Sequence, residues 1–434
     1  MKFYSTRNRG LRAGLAEAVL GGLAPDGGLY LPCDVTPLPG EFFNSARGLD
    51  FHEIAFNVLR ALLADDIEEG RLRGMIQSAF DFEAPLVALD GDTSVLELFH
   101  GPTLAFKDFA AAFMSRLMAH LVEDIGRELL ILVATSGDTG SAVAHGFLGV
   151  PGIRVIILYP SGRVSGLQEK QLTTAGQNVL AVEVDGAFDD CQRLAKEAFS
   201  DEVLRSKVLM SSANSINVAR LAPQAIYYVS AWAARKETDR PVVFSVPSGN
   251  FGNMTAGLLA KKLGLPVRRF VAATNVNDSV PRYAASGVYE PRPTRMTISN
   301  AMDVGDPSNF ERVLDLYDND RFAIERDMAA YSFDDTATRS AIRRLFSEHG
   351  YTADPHGAVG YLGLEKYRSD TGDKAEGIFL ETAHPVKFKD VVEKEIGRTI
   401  GIPERLSGVL SREKHSVRMG ASYWDLRDFL FTTF

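Results

Sequence analysis

Beyond about residue 95 the chain is punctuated by short apolar runs at 129–133, 155–159, 179–184, 242–246, 270–274 and 377–381, with helical patterns such as 189–200 and 254–263 between them. Each run has strand length and is apolar almost throughout, which marks a buried strand. Buried strands alternating with helices restrict the chain to an α/β fold built on parallel sheet. The same restriction places function, because open sheets of this kind bind ligands beyond the carboxyl ends of their strands. Residues 1–90 follow another pattern and read as mostly helical with loops. Phe51, Ile54, Ala55, Val58, Leu59 and Leu62 recur there at helical spacing, and 24–28 (Ala-Pro-Asp-Gly-Gly) carries turn chemistry.

The 434 residues suggest two or three domains with sizeable cores. A formal charge of −9 gives no global case for nucleic acid or an anionic membrane as partner, and leaves room for a local basic pocket. Cys33 and Cys191 lack any ligand spacing, and the eight histidines form no H-E-x-x-H cluster, so no metal site is expected. The basic N-terminus (Lys2, Arg7, Arg9, Arg12) runs into a mildly apolar stretch broken by Glu17, which reads as a short helix and not a signal peptide. No segment has transmembrane length. A soluble cytoplasmic protein is the expectation. Residues 285–345 are richer in charge and turn formers, with a surface excursion at 289–294.

Two loops stand where a buried strand meets a helix: 134–141 (Ala-Thr-Ser-Gly-Asp-Thr-Gly-Ser) and 246–253 (Val-Pro-Ser-Gly-Asn-Phe-Gly-Asn). Glycine lets the backbone approach a ligand closely. The start of a helix offers unpaired N–H groups and a positive dipole end, hence an anion site. Neither loop matches the G-x-G-x-x-G or G-x-x-x-x-G-K-[ST] patterns, and each alone reads equally as an ordinary turn. As a pair, one suits a dianionic phosphate, with Asn250 and Asn253 adding amide donors, and the other a substrate carboxylate. Asn214, Asn217 and Arg220 lie three apart, so on a helix they would share one face suited to a second phosphate. The competing reading is a helix cap with a solvated arginine. Thr382, in the run Glu-Thr-Ala-His-Pro at 381–385, ends a late strand. Its hydroxyl there meets a ring nitrogen or merely precedes the Pro385 turn. The piece 354–357 (Asp-Pro-His-Gly) reads as a turn that opens a helix, with no chemistry assigned.

Lys107 lies between Phe106 and Phe109, just ahead of a small-residue helical run. Burial in apolar surroundings lowers a lysine's pKa. The free amine so produced is the form that carbonyl chemistry needs. The same residues also describe a surface lysine that snorkels beside a helix start.

Taken together, these segments resemble the threonine synthase family, pyridoxal-phosphate enzymes of fold type II (the tryptophan synthase β-like group), in its longer bacterial and fungal branch. The likeness covers the whole chain: 4–7 (Tyr-Ser-Thr-Arg), 27–32 (Gly-Gly-Leu-Tyr-Leu-Pro), 100–109, 135–140, 212–220, 248–253 and 381–385 stand in the family's order. It implies two open, mostly parallel sheets flanked by helices, plus a largely helical N-terminal region. The implied division is 1–92, then a smaller α/β domain at 93–222 with the Schiff-base lysine, then a larger one at 223–434 with the cofactor-phosphate loop. By this resemblance Lys107 binds pyridoxal 5′-phosphate, Gly249, Asn250, Phe251 and Asn253 cradle its phosphate, and Thr382 meets its ring nitrogen. Thr135, Ser136, Asp138 and Thr139 would lie beside the ring and the substrate carboxylate. Asn214, Ser215 and Arg220 would bind the substrate phosphate.

Two departures qualify the carry-over. Asp138 stands where the wider group often has Asn. An aspartate aimed at an anionic substrate would repel it, whereas as a helix cap it is harmless, so the backbone and hydroxyls of that loop carry more weight than its carboxylate. Thr382 is neutral, where many pyridoxal enzymes use Asp to keep the ring nitrogen protonated. The implied reaction converts O-phospho-L-homoserine and water to L-threonine and phosphate, with Lys107 as base at Cα, in a monomer or homodimer. One rival is another fold type II lyase, a dehydratase or cysteine synthase, whose substrates carry no γ-phosphate for 214–220 to bind. The other is a non-catalytic phospho-metabolite binder, which would not need Lys107.

Overall fold

A computed structural model describes residues 2–63, 66–123, 125–135, 137–236 and 239–433. At the N-terminus, β1 (Phe3–Ser5) pairs antiparallel with both β2 (Arg12–Ala13) and β3 (Tyr30–Pro32). These strands are two or three residues long, too short to show periodicity, so the helical expectation for this region overlooked them. The helices there include Leu15–Gly21, Phe51–Leu63 and Glu69–Ala79. The expected stripe of the second is buried at Ile54, Ala55, Val58, Leu59 and Leu62.

The remaining strands are, in chain order, β4 (Leu86–Ala88), β5 (Thr93–Glu97), β6 (Leu129–Ala134), β7 (Ile153–Pro160), β8 (Val179–Asp185), β9 (Leu209–Ser211), β10 (Val242–Pro247), β11 (Arg269–Thr274), β12 (Met328–Ser332), β13 (Glu376–Glu381) and β14 (Ser416–Gly420). They form two sheets. The larger runs β12-β11-β10-β13-β5-β4 and is parallel except for β4 at its edge. The smaller runs β14-β8-β7-β6-β9 and is parallel throughout. The six runs expected from sequence are β6, β7, β8, β10, β11 and β13, each one to three residues longer than its apolar core. Sheet membership does not follow chain order: β5 precedes the smaller sheet in sequence yet joins the larger, and β14 returns late to the edge of the smaller.

Helices Lys107–Val122 and Ala222–Ala233 are buried on nearly all sides. They lie in one continuous apolar cluster that takes in residues of the N-terminal region and of both sheets. Phe109 packs edge-on against Phe82 and Tyr227, with ring centroids 4.8 and 5.5 Å away. Burying each such aromatic contributes about 1.5–3 kcal/mol, so this cluster fixes the Lys107 helix against the Ala222–Ala233 helix. No helix of the described residues is long and apolar enough to cross a membrane. Both cysteines are free, and no metal-holding cluster of His, Cys, Asp and Glu occurs among the described residues.

Candidate active site

Parallel strands deliver their carboxyl ends to one side, and here four of them lead into the expected segments. β5 runs on through 98–106 to Lys107, the first residue of its helix, and β6 through 135–137 to the helix Asp138–Gly146. β10 leads through 248–251 to the helix Gly252–Lys262, and β13 ends one residue before Thr382. The first and last are stitched together. Phe106 N–H donates to Thr382 O at 2.9 Å and His384 N–H to Leu104 O at 3.0 Å, making a short bridge centred on Ala105 and Ala383. Lys107 and Thr382 are thereby held on adjacent backbone. The Thr382 hydroxyl finds no partner among the described residues.

Asp138 is almost fully buried and does not cap its own helix. Its Oδ1 accepts from Lys387 Nζ at 2.7 Å and Gln168 Nε2 at 2.9 Å, while Oδ2 lies 3.7 Å from Lys107 Nζ. Burial opposes its ionisation, but Lys387 and Lys107 outweigh that and hold the carboxyl well below the usual carboxylate range. The loop that places it is closed by Thr135, whose Oγ1 accepts from Gly137 N at 3.0 Å and Gly140 N at 2.9 Å. Gly137 has φ +146°, and a Cβ there would fall 2.6 Å from the Gln168 side chain. No other residue type fits. Thr139 is half-buried beside this turn. Ser136 lies outside the described residues.

Burial pushes the Lys107 amine below the ordinary lysine range; Asp138 works against that shift, and Lys387 and Arg220 add to it. Asp108, the next residue, accepts from Thr103 Oγ1 at 2.6 Å and Thr103 N at 2.8 Å, which ties the 100–106 loop to the helix start. Burial raises the Asp108 pKa.

The segment 212–217 is not helical. Only Val218–Arg220 forms a 3₁₀ turn, so the expected shared helix face does not exist. Asn217 is spent structurally: its Nδ2 donates to Val19 O and Ser212 O, and its Oδ1 accepts from Ala219 N. Arg220 is not a solvated surface residue. It is 2% exposed, donates through Nη1 to Ala213 O at 2.7 Å, and its buried Nε has no partner among the described residues. Burial lowers its pKa to about 10, so it stays charged at neutral pH. Ser215 joins this segment to the 248–253 loop, its Oγ accepting from Asn250 Nδ2 at 2.7 Å and Asn309 Nδ2 at 3.2 Å. Asn214 is half-buried next to it.

The 248–253 loop can hold an anion. Phe251 takes the left-handed conformation at φ +60° and turns the chain into its helix. The backbone N–H groups of Gly249, Asn250 and Phe251 find no acceptor among the described residues. Gly249 is pressed against Met302, whose Cα would lie 2.6 Å from a Cβ there. Asn250 Oδ1 accepts from Ser308 N, so this side chain braces the loop. Asn253 is held by Tyr227 and Tyr228, whose hydroxyls donate to its Oδ1 at 2.5 and 2.7 Å, and its buried Nδ2 has no partner among the described residues. An orphaned amide donor, free backbone N–H groups and a helix start fit a phosphate. They fit the phosphate of the pyridoxal phosphate that the resemblance implies.

Residues of this centre not singled out from sequence include Lys387, Gln168, Tyr227 and Tyr228. Lys387 had a signal, since Val386-Lys387-Phe388 repeats the apolar flanking of Lys107 just after the Thr382 strand end.

Comparison with known proteins accords with this geometry. Residues 88–380, more than half of the chain, match the family model described as pyridoxal-phosphate dependent enzyme, so fold and site are of that class. Residues 2–80 and 357–430 match models of the threonine synthase N terminus and C-terminal region. A curated threonine synthase of Escherichia coli (strain K12) is 45% identical over 94% of each chain. The crystal structure of threonine synthase from Escherichia coli superposes with a TM-score of 0.93 at 43% identity, covering 100% of both chains. That of the PLP-bound threonine synthase from Brucella melitensis gives 0.93 at 35% identity, covering 99% of this chain and 98% of that one. The chain belongs to the threonine synthase family.

Proposed function

We propose that this chain is a carbon–oxygen lyase that converts O-phospho-L-homoserine and water into L-threonine and phosphate with pyridoxal 5′-phosphate. The observation that carries the reading is Arg220: a buried guanidinium with an unpartnered Nε, electrostatically coupled to the Lys107 amine. Lys387 is paired with the ionised Asp138, and Arg220 adds its own charge beside Lys107, so a chain of charge −9 keeps a cationic group in this centre. Such a centre suits a substrate that brings its own phosphate in addition to the cofactor's.

In this reading Lys107 carries the cofactor's aldehyde carbon. Asn253 Nδ2 and the N–H groups of Gly249, Asn250 and Phe251 hold the phosphate, and the Thr382 hydroxyl meets the ring nitrogen. When bound, the group supplies an electron sink that lets protons leave the substrate's carbons. With substrate in place, the freed Lys107 amine takes the proton from Cα and serves the removal of one from Cβ. Arg220, with Asn214 and Ser215 beside it, holds the γ-phosphate and stabilises its charge as the Cγ–O bond breaks. A proton goes to Cγ, the water oxygen adds at Cβ, and Lys107 returns the last proton to Cα. Thr135 and Gly137 fix the loop in which Thr139 and the 137–140 backbone receive the substrate carboxylate.

The test is an assay of phosphate release and threonine formation from O-phosphohomoserine, with homoserine as control. Lys107→Ala should abolish both turnover and the visible absorbance of the loaded enzyme. Full turnover by that variant, or equal rates on homoserine, would remove the proposal.

A further inference from the structure

Lys387 is wholly buried, on the turn Pro385–Phe388 that follows Thr382. Its Nζ donates to Asp138 Oδ1 at 2.7 Å and to Thr103 O at 2.9 Å. One ammonium thus ties three segments: the Asp138 helix start, the loop ahead of Lys107, and the turn after Thr382. Gln168 donates to the same Oδ1 at 2.9 Å and Lys387 sits on it too, so Asp138 is pinned through one oxygen. Its other oxygen stops 3.7 Å from Lys107 Nζ, beyond hydrogen-bond reach.

A buried carboxylate without Lys387 would have Lys107 as its nearest cation. It would turn onto that amine and hold it as ammonium, the form that cannot attack a carbonyl carbon. It would also face an anionic substrate with an uncompensated charge. Lys387 removes both problems through one contact. We propose that Lys387 is a positioning residue of this centre, which neutralises and anchors Asp138 so that the carboxylate orients the Lys107 amine without locking it in the charged form. This rests on Lys107 being the amine that carries the cofactor.

The charged groups acting on Lys107 are Asp138, Lys387 and Arg220. Two of them can be altered with opposite expected signs. In Lys387→Gln an amide donor one bond shorter replaces the ammonium, and the charge is lost. In Asp138→Asn the carboxylate itself is lost. Two readouts on the full-length chain apply. One is the pH dependence of reductive methylation at Lys107 by formaldehyde and cyanoborohydride without cofactor, read by mass spectrometry. The other is the pH dependence of the visible band that forms when pyridoxal phosphate is added. The midpoint should rise by about one pH unit in Lys387→Gln and fall in Asp138→Asn, and Lys387→Arg should restore the wild-type value. General loosening of the site cannot move neighbouring variants in opposite directions. An unmoved or lowered midpoint in Lys387→Gln, or a raised one in Asp138→Asn, overturns the proposal. Failure of the underlying assignment looks different: Lys107→Ala would then still develop the visible band.

Discussion

Asn253→Asp separates two jobs done by one side chain. Asn253 Oδ1 accepts hydroxyl bonds from Tyr227 and Tyr228 at 2.5 and 2.7 Å, while Nδ2 is buried without a partner among the described residues. Burial pushes both phenols well above their ordinary pKa, so they are permanent donors. Aspartate keeps the acceptor oxygen and the volume, removes the amide donor and brings a carboxylate in its place. Asn253→Ala removes the shorter acceptor of each hydroxyl, leaving Tyr227 with Gln224 Oε1 at 3.3 Å and Tyr228 with the residue-253 carbonyl at 3.1 Å. Losing the better of two acceptors costs each buried hydroxyl about 0.5–1.5 kcal/mol, so the alanine variant should lose about 1–3 kcal/mol of stability, while the aspartate variant keeps both hydroxyl bonds. The phosphate site behaves the other way. A hydrogen bond to an anion contributes about 1.5–3 kcal/mol, so losing it weakens cofactor binding about 10–150-fold, before any repulsion between carboxylate and phosphate. Thermal unfolding of the cofactor-free chain measures the first effect, and titration with pyridoxal phosphate, followed in the visible, measures the second. Wild-type cofactor affinity in Asn253→Asp, or a wild-type melting temperature in Asn253→Ala, would refute the reasoning.

Arg220→Ala should raise the KM for O-phosphohomoserine by about thirtyfold or more, since losing a buried charge partner costs about 2 kcal/mol or more, while cofactor affinity changes little. Equal losses for both ligands would place Arg220 elsewhere in the mechanism. Lys107 also predicts a pH dependence of stability. Its folded pKa is depressed, so between that value and the ordinary lysine pKa the unfolded chain holds a proton that the folded chain has shed. Stability of the cofactor-free chain therefore rises with pH in that window, by at most about 1.4 kcal/mol per unit. Lys107→Met should remove this part of the slope, and denaturant titrations at several pH values check it.

What could be read from sequence follows from how strongly each element is buried. β6 and β10 are buried at every position, and such strands announce themselves as unbroken apolar runs. β12 and β14 are edge strands with mostly half-exposed residues, so no such run marks them. The site divides in the same way. Loops with unusual residue density, such as 248–253, stood out because glycine allows close backbone packing and asparagine supplies side-chain amides. The helical expectation for 214–220 failed because Asn217 bonds Val19 O, across almost two hundred positions of chain, and spacing carries no information about that partner. The setting of Asp138 was hidden for the same reason, since its partners Gln168 and Lys387 are 30 and 249 residues away by position.

In the proposed reading, Arg220 also decides between lyases that share this fold. Lys387 and Asp138 cancel one another at 2.7 Å, and burial moves Lys107 toward its neutral form. That leaves Arg220 as a cation of the centre with no ion pair to a carboxylate among the described residues, only the longer-range field of Asp108, with one donor committed to Ala213 O and Nε unsatisfied there. A desolvated guanidinium without a counter-ion is costly, and an unfilled buried donor adds about 1–3 kcal/mol. An enzyme that acts on a bare hydroxyl or a thiol would carry that cost through its whole cycle with nothing to offset it. A substrate bearing a phosphate offsets it on binding, and offsets more as charge gathers on the leaving oxygens. Discrimination between O-phosphohomoserine and homoserine therefore falls on Arg220, and Arg220→Ala should narrow the gap between them by slowing the phosphorylated substrate alone.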